Sequence, residues 1–193
     1  MIYIFRHGKT DLNSSGLLQG RSDHPLNEEG IRRSKQVAAL LGHVAFDHVF
    51  SSPLLRARQT AEIIAPDKTI KIDERLIEMD YGPYEGTDLR DPPPEIVRFF
   101  SDFIHNPAPE GMEQLDSVVK RSASFIEDIR YLQGNILVSA HAISMKGILE
   151  YLTPGSNGSY WSKYIANCAV YTAEDHDGPI SLPQELRQEE DPQ

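Results

Sequence analysis

Short runs rich in β-branched and aromatic residues alternate with stretches of helical period along this chain, and that alternation confines it to few folds. Ile2 to Phe5 is the first run, Ala45 to Phe50 the second, Thr69 to Ile72 the third and Asn135 to Ser139 the fourth. Asn27 is placed to cap a helix reaching about Leu41, with Glu28 and Glu29 in its first turn and Gly42 just past its end. Pro53 suits the first turn of a helix through Arg56, Thr60 and Ile64. Leu115, Val118, Val119, Ser122, Phe125, Ile126, Ile129 and Leu132 keep helical spacing, and a helix from Ile143 to Leu152 follows the fourth run. Lys163 to Thr172 offers a last strand. The pattern predicts an α/β fold: a three-layer α/β/α sandwich around a mostly parallel central sheet.

Two regions break the rhythm. Residues 79 to 112 are rich in Gly and Pro, with Pro92-Pro93-Pro94 in a row, and read as a cap inserted over the strand C-terminal ends. A short helix is expected there, from about Glu95 to Ile104. The tail, about 176 to 193, is polar and is expected to be loosely held. The 193 residues are enough for one well-cored domain, so 1–193 is read as a single domain.

A net charge of −10 disfavours nucleic acid as a partner, since such binding relies on clustered Lys and Arg. Any anionic substrate must then be drawn by a local group of cations. The one cysteine, Cys168, excludes an intramolecular disulfide and a cysteine-rich metal site, and lies in an apolar run that places it in the core. No apolar run approaches a membrane span and no leader pattern opens the chain, so a cytoplasmic protein is expected, with no membrane partner. The oligomeric state is open, a homo-oligomer included.

The chemistry-bearing residues fall at the ends of these strands. Arg6 and His7 close the first run, and Gly8 allows a sharp turn or a close anion. His141 follows the fourth run and Arg56 lies in the helix after the second, so Arg6, His7, Arg56 and His141 can converge on the carboxyl side of the sheet. Guanidiniums hold a phosphoryl group with paired hydrogen bonds, a neutral imidazole can attack phosphorus, and a second imidazole, if protonated, can stabilise the equatorial oxygens. Glu78, at the start of the insertion, is a candidate general acid. On spacing alone Arg58 rivals Arg56, and Glu74, Asp80 and Glu85 rival Glu78.

Taken together, Arg6-His7-Gly8 with Thr10 and Asn13, Gln19-Gly20, Ser51-Ser52-Pro53 with Arg56-Ala57-Arg58-Gln59-Thr60-Ala61, Leu76-Ile77-Glu78 with Gly82 and Glu85-Gly86, and Ser139-Ala140-His141 resemble the histidine phosphatase superfamily, in its phosphoglycerate mutase-like, cytoplasmic branch. The resemblance implies a phosphohistidine on His7, a phosphate pocket of Arg6, Arg56 and His141, Glu78 as proton donor, and no metal or other cofactor. It also implies contacts to substrate or phosphate from Asn13, Gln19 and Gly20, with Tyr81 and the backbone of Ala142 as further candidates. Tyr81, Tyr84, Phe99, Phe100 and Phe103 otherwise read as the small core of the insertion.

Departures from the family pattern bear on the reaction. Glu78-Met79-Asp80-Tyr81-Gly82 stands where the sugar-phosphate mutases carry Glu-Arg-x-Tyr-Gly, and the loss of that cation, with the shorter chain, favours hydrolysis. Met112 takes a usual Glu position, leaving Glu113 to cap the long helix, and Ala142 replaces the usual glycine after the second histidine. The sequence therefore predicts a metal-independent phosphomonoesterase acting on a small phosphorylated metabolite. A mutase-type phosphoryl transfer and a catalytically weak, phosphate-binding regulatory protein are the alternatives.

Overall fold

The structure is a computed structural model and describes residues 1–174 and 181–186. Six strands, β1 (Ile2–Arg6), β2 (His48–Ser51), β3 (Ile70–Ile72), β4 (Ile136–Ala140), β5 (Val170–Ala173) and β6 (Gln184–Leu186), form one sheet in the order β3-β2-β4-β1-β5-β6. β3, β2, β4 and β1 run parallel, while β5 and β6 are antiparallel to their neighbours. Among the described residues six helices accompany it: α1 (Asp11–Ser14), α2 (Glu28–Leu40), α3 (Leu55–Ile64), α4 (Pro94–Ser101), α5 (Leu115–Ile129) and α6 (Ala142–Leu152). Among the described residues no helix is long and apolar enough to cross a membrane.

Alternation along the strands explains the layers. Ile2 and Ile4 of β1 with Ile136 and Val138 of β4 pack against Phe125 and Ile126 of α5 and Ile148 and Leu149 of α6. Tyr3, Phe5 and Leu137, on the other face, meet Val37 of α2 and Ala61 and Ile64 of α3. The predicted α/β/α sandwich is what forms. A third cluster joins Leu18, Met79, Tyr81, Ile96, Phe99, Met112 and Trp161 to Val118 and Ile143, so the inserted segment has its own core and sits on α5 and α6. Met112 belongs to that core.

Some boundaries differ from the sequence reading, for physical reasons. The second strand is only His48–Ser51, because the Asp47 carboxylate and its backbone N–H both bind Asn135 and turn the chain there. The last predicted strand shrinks to Val170–Ala173, since residues 164–169 form a loop against β1, with Cys168 buried at a left-handed φ of 64°. In the tail, Gln184–Leu186 pairs with β5 rather than hanging loose, and the Tyr171 hydroxyl donates to Glu185 at 2.8 Å. Residues 176–180 and 187–193 of the expected loose tail, His176 included, lie outside the described residues.

Asn27 caps α2 as its position in the sequence predicts, accepting from the Gly30 N–H at 2.9 Å. That first turn crosses the loop leaving β1 very closely. A Cβ on Gly30 would lie 2.1 Å from the Lys9 carbonyl oxygen and 2.6 Å from its nitrogen, so only glycine fits. Gly30→Ala is therefore expected to cost about 1–3 kcal/mol by overpacking, despite the better helix propensity of alanine. Urea unfolding of the two proteins checks this, an unchanged or raised midpoint being the contrary result.

Candidate active site

β1 delivers Arg6 and His7 to the carboxyl end of the sheet, and the 164–169 loop fastens them there. The Cys168 N–H donates to the Arg6 and His7 carbonyls at 3.1 and 3.3 Å, and the Asn167 side-chain amide donates to the His7 carbonyl at 3.1 Å. Arg6 Nη1 donates to the Ile165 carbonyl. The Gly8 N–H donates to the Thr60 hydroxyl at 2.9 Å, tying the loop to α3. His7 Nδ1 lies 2.6 Å from the Gly8 carbonyl oxygen, which can only accept. Nδ1 therefore carries the ring proton, and Nε2 keeps its lone pair.

Arg56 faces that lone pair. Its side chain is 0% exposed, and Nε donates to His7 Nε2 at 3.2 Å. Nη1 donates to the Ser22 carbonyl at 2.8 Å and Nη2 to the Gly20 carbonyl at 2.6 Å. Arg58, its rival on spacing, is exposed. Gly20 thus contributes its carbonyl to Arg56, while its N–H donates to Glu85 at 2.9 Å. Gln19 is buried, with Oε1 accepting from the Thr10 hydroxyl at 2.7 Å and Nε2 unpartnered. Asn13 sits in a capping box at α1, its Oδ1 accepting from the Thr10 N–H at 3.2 Å.

His141 precedes α6, and its ring centroid is 5.0 Å from that of His7. Its Nε2 is 2.7 Å from the Ser52 hydroxyl, which accepts from the Leu54 N–H at 3.3 Å. His141 Nδ1 is buried and unpartnered. Glu78 supplies the cap that His141 does not. Its carboxylate accepts from the Met79, Ile143 and Ser144 N–H groups at 2.9, 3.2 and 3.0 Å, at the start of α6. Ala142 is helical and has no positive φ, so its methyl introduces no backbone strain. Tyr81 is buried in the cap core, with its hydroxyl pushed well above its ordinary pKa by burial and by Glu78.

The rival acids are committed elsewhere. Glu74 is exposed, Asp80 pairs with Arg21 at 3.1 Å, and Glu85 is bound to the 20–22 loop. Glu113 does not cap α5. It pairs with Arg121 at 2.9 Å and Arg21 at 3.3 Å and accepts from the Asp80 N–H, fastening the cap to α5. Sequence reasoning assigns no separate role to Ser52, Thr60, Ser22, Ile165 or Asn167, whose contacts to His141, Gly8, Arg56, Arg6 and His7 span long stretches of chain.

Electrostatics decide the protonation of the two imidazoles. Burial, then Arg56 and Arg6, holds His7 well below its ordinary pKa. Burial with Arg56, His7 and Arg6 does the same to His141. The condition that the second imidazole be protonated is thus disfavoured by its surroundings. Burial also lowers both guanidiniums, Arg56 to about 10, and the Glu78 charge opposes this.

A histidine held neutral in the folded state takes up its proton on unfolding. Stability is then complete above the unfolded pKa of about 6.5 and falls as pH drops below it, by up to about 1.4 kcal/mol per pH unit for each histidine. Thermal melts from pH 7.5 to 5 are expected to show a steeper loss for the wild type than for His141→Asn, parallel slopes being the contrary result.

The sequence profile of the histidine phosphatase superfamily (branch 1) matches residues 2–183. Phosphoserine phosphatase 1 of Hydrogenobacter thermophilus is 30% identical over 168 residues, 83% of this chain and 80% of that protein. The adenosylcobalamin/alpha-ribazole phosphatase of Salmonella typhimurium is 30% identical over 158 residues, 78% of this chain and 76% of its own. In three dimensions, phosphoserine phosphatase from Entamoeba histolytica in complex with 3-phosphoglyceric acid superposes with a TM-score of 0.85 at 26% identity, covering 97% of both chains. An imidazole whose Nε2 lone pair faces a buried guanidinium at the strand ends is thus joined to a match over nearly the whole chain, and the chain belongs to branch 1 of the histidine phosphatase superfamily.

Proposed function

We propose that this enzyme hydrolyses the phosphomonoester of a small metabolite, without a metal, through a phosphohistidine on His7. The observation that carries the reading is the His7 ring: Nδ1–H is fixed on the Gly8 carbonyl, and Nε2 is left beside Arg56. Arg6 Nε, Gln19 Nε2 and His141 Nδ1, buried and without partners, are groups that phosphoryl oxygens would satisfy. In the first step Nε2 attacks phosphorus in line, the ester P–O bond breaks, and Glu78 gives its proton to the leaving oxygen. In the second, water attacks the phosphohistidine and returns a proton to Glu78. The P–N bond breaks and inorganic phosphate leaves. Arg6, Arg56 and the neutral His141 hold the transferring group, with Asn13 and Tyr81 as further contacts.

Hydrolysis is favoured over mutase-type transfer because Met79, where the mutases carry arginine, is buried in the cap core and offers no cation to a second acidic group. The phosphatase names of the relatives point the same way. We place the reaction in the cytoplasm, with a small phosphorylated metabolite as the only partner it requires.

Phosphate release from p-nitrophenyl phosphate in excess EDTA tests the reading. The wild type is expected to turn over and His7→Ala to lose at least about three orders of magnitude. Full activity in His7→Ala would remove His7 as nucleophile, and activity only with added metal would remove the metal-free reaction. In rapid-quench measurements of phosphoryl transfer to His7, Glu78→Gln is expected to slow alkyl phosphates by about 10²–10⁴-fold, but p-nitrophenyl phosphate far less, since its leaving group needs no proton. Equal losses on both substrates would remove Glu78 as the acid.

A further inference from the structure

Glu85 lies outside the groups that touch phosphate in the proposed reaction, yet it is bound into the site more thoroughly than a surface carboxylate needs to be. Oε1 accepts from the Gly20 and Ser22 N–H groups at 2.9 and 3.2 Å and from the Ser22 hydroxyl at 2.6 Å. Oε2 accepts from the Gly20 and Arg21 N–H groups at 3.1 and 3.3 Å. The loop therefore turns its N–H groups to Glu85 while turning the carbonyls of Gly20 and Ser22 to Arg56. The fit is close: a Cβ on Gly20 would lie 2.6 Å from Glu85 Oε2 and 2.7 Å from the Met79 carbonyl oxygen. Arg21 adds ion pairs to Asp80 and Glu113, but its side chain is 41% exposed and such pairs hold a loop weakly.

We infer that Glu85 is a positioning residue: it fixes the 20–22 loop, whose carbonyls orient the Arg56 guanidinium, whose Nε–H in turn sets the His7 ring for attack. The inference rests on the phosphohistidine reading for its catalytic consequence, but not for its geometry. The carboxylate spans 63 to 65 residues of sequence to reach the loop, so one side chain registers the start of the cap against the phosphate site. Both of its oxygens are occupied in doing so.

Two readouts test the inference on full-length Glu85→Ala and Glu85→Gln. The first is the Arg56 Nε–H resonance in ¹H–¹⁵N spectra, assigned by its loss in Arg56→Lys. The second is the rapid-quench rate of phosphoryl transfer to His7 from p-nitrophenyl phosphate. With alanine, the resonance is expected to move towards that of a free arginine, and the rate to fall by about 10- to 100-fold, the cost of misplacing a reacting group. Glutamine keeps one acceptor oxygen and is expected to give intermediate values for both. An unchanged Arg56 resonance in folded Glu85→Ala overturns the inference. If alanine prevents folding, a wild-type resonance and rate in the glutamine variant overturn it instead. Absence of phosphohistidine in the wild type would overturn the functional reading alone, because the resonance still reports whether Glu85 holds Arg56.

Discussion

A guanidinium with no exposed surface is the constraint on which the site depends. Burying that charge is costly unless its N–H groups find partners, and Arg56 finds them in two loop carbonyls and the nitrogen of His7. The 20–22 loop must therefore lie where it does, α3 must begin where it does, and His7 must present Nε2 rather than Nδ1. The cation that would neutralise a phosphate also dictates the tautomer and direction of the imidazole beside it. Removing either partner would leave the other buried and unmatched.

The same environment acts on the second histidine. Burial beside two guanidiniums and another imidazole disfavours a further positive charge and holds His141 well below its ordinary pKa. The one carboxylate placed among them, Glu78, is anchored on the first turn of α6 and thus joins the inserted cap to the sheet. Cap core, helix start and Glu78 are a single mechanical unit.

What could be read in the sequence is what depends on local pattern. Strand alternation, the Asn27 cap and the apolar stripe of α5 follow from periods of two and 3.6 and from one turn of chain, and the strand ends then place Arg6, His7, Arg56 and His141. The choice between Arg56 and Arg58 came only through family resemblance; in the structure one is buried and the other exposed. Illegible were the contacts made through backbone: Glu85 on the 20–22 loop, Asn167 on the His7 carbonyl, Glu78 on α6. Carbonyls and N–H groups carry no side-chain signature, and partners separated by scores of residues leave no period. Glu113 was misread for the same reason, since its partners Arg21 and Arg121 lie far along the chain. The Gln184–Leu186 strand was missed because an edge strand with polar side chains looks like tail.

The place of β1 in the sheet has a consequence for how the molecule comes into being. The strand that ends in Arg6 is made before the other strands of the sheet, yet its two neighbours are Ile136–Ala140 and Val170–Ala173. Its backbone groups stay without these sheet partners until the chain has reached those segments, and closing such long loops is slow. The fastening of His7 by Asn167 and Cys168 comes later still. A growing chain thus holds His7 long before it holds the residues that fasten it, so a chain that stops short of Asn167 and Cys168 has no assembled site, by topology alone.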